Sequence, residues 1–184
     1  FMDGDLWKDP NIVGLILSKN GMYLENVGPS LKNDHNLVLK AVSQNSRASE
    51  YMGTQLWSDE KIVKKIVQGN GLALEKAADS LKNNNDIALT AVKQNGMALQ
   101  FIPKKIRSNR DIIVSALNSD GRALRFGSLI QRKDKQLIEL AVNDNIESLK
   151  YAEIPEDWFN NKAKSTYVAY VYEFGIGRAQ NLTK

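Results

Sequence analysis

Apolar residues recur with a spacing of 25 along most of this chain. The residues that carry this spacing are Leu6, Leu31, Leu56, Leu81 and Ile106. A fixed period in this range is typical of repeat proteins, in which each repeat is one supersecondary unit that cannot bury its apolar face alone. We therefore predict six stacked units between Leu6 and about Ala152, starting near residues 6, 31, 56, 81, 106 and 131.

Each unit begins with a pattern that predicts an α-helix of roughly eleven residues. Counting from the first apolar residue as offset 0, offset 3 is always Asp or Asn, which are favoured as helix N-caps. Apolar residues follow at offsets 6, 7, 10 and 11, which lie on one face of a helix with 3.6 residues per turn. The offset-3 residues are Asp9, Asp34, Asp59, Asn84, Asn109 and Asp134.

Offset 14 is Asn in five units and Asp120 in the other, and Gly follows it in four units. We interpret this pair as the end of the first helix, because Gly allows the left-handed turn that caps the last carbonyl groups. Ser46 and Ile146 replace the Gly in the second and sixth units, and Asn145 is expected to adopt the positive φ itself. An alternative is that the Asn side chains stack as a buried ladder between units.

A second, shorter helix is predicted after this turn. Offset 18 is Leu in five units, and offset 17 is Ala in four. Small residues beside a Leu column allow neighbouring helices to pack closely. The predicted fold is an all-α solenoid of six 25-residue, two-helix repeats in residues 1–154, followed by a C-terminal capping helix in residues 155–184.

The amino-acid sequence of the units, best seen as LKNNNDIALTAVKQNGMALQFI at Leu81–Ile102, resembles a known repeat. It is similar to the family called domain of unknown function 4116, which recurs in tandem in bacterial and protist proteins, including effectors of intracellular bacteria. The resemblance covers residues 6–152 and implies no particular activity, so no functional residue can be transferred. This chain departs from the pattern at Gln131, which stands at offset 0, and at Ser46 and Ile146.

The last segment differs from the units. Its residues Tyr172, Gly175, Gly177, Asn181 and Lys184 have the spacing of a Sel1-like repeat, and the segment resembles the opening of that protein-binding repeat. The alternative is a terminal helix that covers the last unit through apolar residues such as Val168 and Val171. In either case we expect the sequence to be part of a larger protein.

The residues offer little basis for catalysis. The sequence contains no Cys and a single His, His35, at an offset where other units carry Pro, Glu, Asn, Arg or Lys. It has no zinc-protease, phosphate-loop or calcium-loop motif, and it shows no clustered acids, bases or nucleophiles of the kind that a reaction needs. We therefore expect a non-enzymatic protein with no metal and no cofactor.

The composition, 42% hydrophobic and 25% charged, is that of an ordinary soluble protein. No apolar run approaches the roughly 18 residues that are needed to cross a bilayer. Taken with the resemblance, we expect a soluble chain without a transmembrane segment, located in the cytoplasm or secreted into a host cell. The compartment itself does not follow from the residues.

The clearest functional candidate is a basic segment between residues 104 and 135. Nine Lys and Arg residues stand there against Asp111, Asp120 and Asp134. Offset 19 also changes sign along the chain, from Glu in the first three units to Arg125 and Lys150 in the last two. Because equal offsets align in a solenoid, a gradient from acidic to basic is predicted along one face. The candidate partner-binding residues are Lys104, Lys105, Arg107, Arg110, Arg122, Arg125, Arg132, Lys133 and Lys135.

Such a basic segment attracts an acidic or a phosphate-bearing partner. We predict a protein-protein interaction scaffold whose partner is another, acidic protein. The alternatives are binding of nucleic acid or anionic lipid through residues 104–135, a regulatory arm for a catalytic domain elsewhere, or an ordinary solvated surface. Few aromatic residues interleave with the basic ones for stacking on bases, which argues against nucleic acid.

Overall fold

A computed structural model describes residues 6–154 of the chain, and these residues form helices without a β-strand among them. Each unit contains a main α-helix of 10 residues, and the main helices pack side by side in chain order. They are α1 (Pro10–Lys19), α2 (His35–Gln44), α3 (Glu60–Gly69), α5 (Asn85–Gln94), α7 (Arg110–Ser119) and α9 (Lys135–Asp144). The predicted all-α helical-repeat solenoid is confirmed.

The second, shorter helix of each unit is present and is a 3₁₀-helix. A 3₁₀-helix has three residues per turn, so residues three apart lie on the same side. Offsets 15, 18 and 21 follow this period, and in the first unit Gly21, Leu24 and Val27 are all buried. The 3₁₀-helices are η2 (Gly21–Asn26), η4 (Ser46–Glu50), η6 (Gly71–Lys76), η7 (Gly96–Phe101), η8 (Gly121–Phe126) and η9 (Ile146–Tyr151).

A third, short helical segment precedes each main helix, which the two-helix repeat did not include. It ends directly before the N-cap of the main helix in four units, and one residue earlier in the fourth and fifth units. The Asp34 amide donates to the Leu31 carbonyl at 3.1 Å, while Asp34 Oδ1 accepts from the Leu37 amide at 2.9 Å. These segments are η1 (Leu6–Lys8), η3 (Leu31–Asn33), η5 (Thr54–Ser58), α4 (Asp79–Lys82), α6 (Lys104–Arg107) and α8 (Leu129–Lys133).

The apolar interior is shared between successive units. In α3, Ile62 and Ile66 pack with buried residues of the first two units, whereas Val63 and Val67 pack with buried residues of the later units. All four side chains are fully buried. Because α3 contributes side chains to both clusters, the third unit has no separate core.

The predicted left-handed turn is not formed: the Gly at offset 15 has no positive φ, and neither has the Asn at offset 14. Its backbone is extended, with φ −148° at Asn20 and −147° at Asn145, so Ile146 creates no conflict. The side chain caps the start of the following 3₁₀-helix instead, because Asn20 Oδ1 accepts from the Met22 amide at 3.0 Å. The same bond is made by Asn45, Asn95, Asp120 and Asn145. Since these bonds lie within one unit, the alternative of a ladder between units also fails.

The Gly that follows has a different role, which is to let two backbones touch. A Cβ built on Gly21 would lie 2.1 Å from the carbonyl oxygen of Ala41 in the next unit, and one on Gly96 would lie 2.2 Å from that of Ala116. The Gly21 amide also donates to Gln44 Oε1 of the next unit at 2.7 Å. Offset 15 therefore joins the 3₁₀-helix of one unit to the main helix of the next.

None of the helices within residues 6–154 has both the length and the apolar character that crossing a bilayer requires. The C-terminal helix and the Sel1-like segment that were predicted for residues 155–184 lie outside the described residues. The domain boundary near residue 154 therefore stays a prediction.

Candidate functional site

The nine predicted partner-binding residues lie on three different parts of the array rather than on one patch. The short helices α6 and α8 carry five of them, the first turns of main helices carry two, and the 3₁₀-helix η8 carries two. In that order they are Lys104, Lys105, Arg107, Arg132 and Lys133; Arg110 and Lys135; and Arg122 and Arg125. Their neighbours decide which of them are available to a partner.

Arg107 is a structural residue. Its side chain is half-buried, and Nη1 donates to the carbonyl oxygen of Phe126 at 2.7 Å. Nε is buried without a hydrogen-bond partner among the described residues. Burial lowers the pKa of Arg107, because it disfavours the charged form. Arg107 therefore ties α6 to the end of η8 and is not an exposed cation.

Arg110 joins two units. Its Nη1 donates to Asp134 Oδ2 at 2.8 Å and its Nη2 to Gln136 Oε1 at 2.7 Å. Asp134 is the N-cap of α9, and its Oδ1 accepts from the Leu137 amide. The hydrogen bond from Arg110, opposed by burial and assisted by the backbone, holds the pKa of Asp134 below its ordinary value.

Three further basic residues are engaged within the chain. Arg122 holds Asp120 with two bonds, from Nε at 3.0 Å and from Nη2 at 2.8 Å, and this lowers the pKa of the Asp120 carboxyl. Arg132 Nη1 lies 3.2 Å from Glu153 Oε1. Lys135 Nζ lies 3.8 Å from a carboxylate oxygen of Glu139. With Arg107 and Arg110, five of the nine residues are thus committed.

The remaining four residues make no ion pair within residues 6–154. They are Lys104, Lys105, Arg125 and Lys133, and all four side chains are exposed. The Arg125 guanidinium lies 4.5 Å from the centre of the Phe126 ring, on the 3₁₀-helix side of the array. The three Lys residues lie instead on α6 and α8.

Helices α6 and α8 place those Lys residues beside exposed apolar side chains. Lys104 and Leu129 occupy equal offsets in adjacent units, as do Lys105 and Ile130. Leu129 is 53% exposed and Ile130 is 83% exposed. Lys133 follows on the same face of α8, because residues three and four apart are neighbours on a helix. We call these five residues the α6–α8 edge.

A shallow groove of about 270 Å³ runs between α6 and α8. Lys104 and Leu129 stand at its sides, and Phe126, Arg107 and Gln131 are among the residues that line it. Hydrogen bonds hold both Arg107 and Gln131 in this lining.

Gln131 explains the departure at offset 0 of the sixth unit. In the second, third and sixth units, the carbonyl at offset 1 accepts from the backbone amide at offset 22, as the Trp57 carbonyl does from the Ala78 amide at 2.9 Å. In the fifth unit the amide of Ser128 is used elsewhere, since it donates to Gln131 Oε1 at 2.8 Å. Gln131 Nε2 replaces it and donates to the Arg107 carbonyl at 2.8 Å. A Leu at this position would leave both backbone groups without these partners.

The predicted charge gradient lies on the 3₁₀-helices. The helices η6, η7, η8 and η9 pack against one another in order, as do η2 and η4. Every offset-19 side chain on them is exposed. These residues are Glu25, Glu50, Glu75, Gln100, Arg125 and Lys150. We call the surface that they share with the offset-16 residues the 3₁₀ face.

His35 belongs to the contacts between units. Its Nε2 lies 3.0 Å from Oδ2 of Asp59, the N-cap of α3. The equivalent pair one unit later is Glu60 and Asn84, in which Asn84 Nδ2 donates to Glu60 Oε1 at 3.4 Å. Asn replaces Asp where the preceding unit carries an acid, and so avoids a repulsive carboxylate pair. This pairing of offset 4 with the next offset 3 was missed by the sequence analysis.

Leu129 and Ile130 were also missed. Their signal is present in the sequence, because the equivalent positions in the preceding two units are polar: Asp79 and Ser80, then Lys104 and Lys105. Within residues 6–154, acids and His35 form no group of three or more that could hold a metal ion.

A known family of repeats matches the array. The family described as Domain of unknown function (DUF4116) matches residues 9–57, 59–107 and 86–130, together more than half of the chain. The first two segments each span two units, and they begin at the N-cap residues Asp9 and Asp59. No curated protein and no solved structure matches the chain.

Proposed function

Because the chain belongs to the family described as Domain of unknown function (DUF4116), which assigns no activity, we propose a function from the surface alone. The repeat array is a non-catalytic scaffold that binds another protein. The part of that protein which it binds is an acidic segment carrying apolar side chains. The binding residues are those of the α6–α8 edge.

One observation carries this proposal: the uncommitted cations of α6 and α8 flank two exposed apolar side chains. Lys104, Lys105 and Lys133 make no ion pair within residues 6–154, whereas Arg107, Arg110, Arg122 and Arg132 are engaged. Leu129 and Ile130 stand between the Lys residues, although the equivalent positions of the preceding two units are polar. Exposed apolar residues rimmed by polar ones mark interaction sites.

Two polar pairs of the kind found in active sites hold neighbouring units together instead. His35 and Asp59 bridge the second and third units, and Arg110 and Asp134 bridge the fifth and sixth. Each Asp also caps a main helix. These groups therefore position units against each other, which agrees with a scaffold.

The test uses a fluorescent peptide in which Leu residues are spaced among Glu residues. Titration of this peptide with the wild-type chain is compared with titration with Lys104→Glu/Lys105→Glu/Lys133→Glu. We expect binding that weakens with salt, and a loss of about tenfold or more in the triple variant, since the reversed charges repel the peptide. Leu129→Ser/Ile130→Ser should weaken binding by an amount that salt does not change.

The matched control reverses three exposed Lys residues elsewhere, as Lys19→Glu/Lys61→Glu/Lys93→Glu, which gives the same net charge. This control should bind the peptide like the wild type. Equal losses in the two triple variants would show a nonspecific charge effect and overturn the proposal. Tighter binding of duplex DNA or phosphatidylserine vesicles than of the peptide would favour the alternative of a nucleic-acid or membrane surface.

A further inference from the structure

The charges on the 3₁₀ face run from acidic at one end to basic at the other. The same row of charges in the opposite direction would therefore be complementary to it. From the first unit to the sixth, offset 19 is Glu, Glu, Glu, Gln, Arg and Lys. All six side chains are exposed. Helix η2 packs against η4, and η6 to η9 pack in sequence, so within each of these two groups the order along the chain is also the order along the surface.

Two such faces placed antiparallel bring complementary side chains together in every unit. When the first unit of one copy lies opposite the sixth unit of the other, Glu25 meets Lys150 and Glu50 meets Arg125. In the middle, Glu75 meets Gln100, which is a hydrogen-bond donor. A two-fold axis repeats each pair, because an isologous interface uses the same patch on both copies. A parallel arrangement would oppose Glu to Glu and Arg to Arg, so the charge order selects one orientation.

Apolar side chains lie at the centre of the same face. Leu72 and Met97 occupy offset 16 of the third and fourth units, on either side of the place where the two-fold axis passes. Leu72 is 38% exposed, and Met97 is partly exposed. An apolar centre with a polar rim is the usual anatomy of a protein interface.

We propose that two copies of this chain associate antiparallel through the 3₁₀ face. Leu72 and Met97 form the centre of the interface, and the Glu50–Arg125 and Glu25–Lys150 pairs form its two ends. The inference goes beyond the proposed function, because it concerns a different surface from the α6–α8 edge and a different partner.

One pairing in this arrangement brings like charges together, namely Arg47 opposite Arg122. Each already has an acidic neighbour in its own chain: Arg47 Nε lies 3.9 Å from Glu50 Oε1, and Arg122 holds Asp120 with two bonds. The repulsion is therefore weakened at Arg122, whereas Arg47 shares Glu50 with Arg125 of the other copy. The exposed contact between Lys150 and Glu147, 3.2 Å long, is weak enough to exchange with one across the interface.

The experiment measures self-association of the chain by sedimentation velocity over a concentration series at low and high salt. We expect a monomer–dimer equilibrium that salt weakens. Glu50→Arg should weaken dimerisation by about tenfold or more, because it opposes Arg to Arg125 twice across the axis. Arg125→Glu should do the same by opposing Glu to Glu50. Circular dichroism of each variant should match the wild type, since both sites are exposed.

Mixing the two single variants is the decisive arm. In a heterodimer of Glu50→Arg with Arg125→Glu, position 50 of each copy again faces a side chain of opposite charge at position 125 of the other copy. We therefore expect the equimolar mixture to dimerise about as strongly as the wild type, although neither variant does so alone. The double variant carrying both changes in one chain should also dimerise with itself.

A wild-type chain that stays monomeric at all concentrations would overturn the inference, as would single variants that dimerise as well as the wild type. A mixture that stays monomeric would equally overturn the antiparallel arrangement. Failure here is separate from failure of the proposed function. Lys104→Glu/Lys105→Glu/Lys133→Glu should leave dimerisation unchanged, and Glu50→Arg should leave peptide binding unchanged.

Discussion

Gly71 lies so close to the main-chain carbonyl of Ala91 in the following unit that a Cβ on it would sit 2.3 Å from the carbonyl oxygen. The Gly71 amide also donates to the side chain of Gln94 in that unit. The same relationship joins Gly21 to Ala41, Gly96 to Ala116 and Gly121 to Ala141. Where the second unit has Ser46 instead, the facing residue of the third is Ile66. Gly at offset 15 is thus paired with Ala at offset 10 of the next unit.

We expect Gly71→Ala to destabilise the array by about 2 kcal/mol or more, since the added Cβ forces two packed backbones apart. The effect is steric, because Gly71 is the first residue of a 3₁₀-helix and its φ is one that Ala can adopt. Urea unfolding followed by circular dichroism measures the loss. Gly28→Ala is the control, as a Cβ there meets nothing within 4 Å, and its stability should equal or slightly exceed that of the wild type. Equal stability of the two variants would contradict the close approach.

The sequence pattern predicted the period and the main helices, but gave the wrong reason for Asn-Gly. Asn and Gly are the residues of a left-handed helix end, and within one unit nothing distinguishes that use from the observed one. The distinguishing signal appears only when two successive units are compared. Gly at position 21 is matched by Ala41 in the next unit, whereas Ser46 is matched by the larger Ile66. Similarly, the 3₁₀-helices were hidden because their period of three differs little from 3.6 over six residues.

The junction between the second and third units should show coupling between Gly69 and Ser46. A Cβ on Gly69 would lie 2.7 Å from Ser46 Oγ and 2.8 Å from Ser46 Cβ. We expect Gly69→Ala to cost about 1–2 kcal/mol, by overpacking. In the Ser46→Gly background the same change should be neutral or stabilising, because Ala is the better helix former. A double-mutant cycle by urea unfolding measures this coupling, and additive effects would show that the two residues do not touch.

The basic residues of the candidate site could be predicted from the sequence, but which of them are free to bind a partner could not. The nine basic residues follow from counting charges, yet five of them are committed to partners such as Asp134, Asp120 and the Phe126 carbonyl. Those partners lie 24, 2 and 19 residues away in the chain, so only the stacking of units reveals most of them. Conversely, Leu129 and Ile130 were passed over because apolar residues in a repeat are ordinarily assigned to the interior.

Removing Arg110 should change the acid stability of the array. The folded-state pKa of Asp134 is lowered, chiefly by the hydrogen bond from Arg110. A carboxyl of this kind contributes stability that is present above its unfolded pKa and is lost as pH falls through the lowered folded value. In Arg110→Gln the pKa of Asp134 should rise, so the stabilisation should be lost at a higher pH during acidification.

Carbon-detected NMR titration of the Asp134 carboxyl measures this shift, with urea unfolding at neutral and acidic pH beside it. At neutral pH the loss should be below about 1 kcal/mol, because the Arg110 side chain is more than half exposed. Asp120 serves as an internal control, since its pKa is lowered by Arg122 and should not move in this variant. An unchanged Asp134 titration would contradict the contribution assigned to Arg110.

Gln131→Leu restores the residue type that the other units carry at offset 0, yet we expect it to destabilise the array. Gln131 Nε2 donates to the Arg107 carbonyl, and Gln131 Oε1 accepts from the Ser128 amide, at 2.8 Å each. Leu removes both partners. Leaving the Arg107 carbonyl, which is the partly buried one of the two groups, without a donor costs about 1–3 kcal/mol. Gln131→Glu separates the two bonds, because Glu still accepts from Ser128 but cannot donate to Arg107 when ionised. Its loss in urea unfolding should therefore lie between those of the wild type and Gln131→Leu. A Leu variant more stable than the wild type would mean that repeat consensus outweighs these bonds.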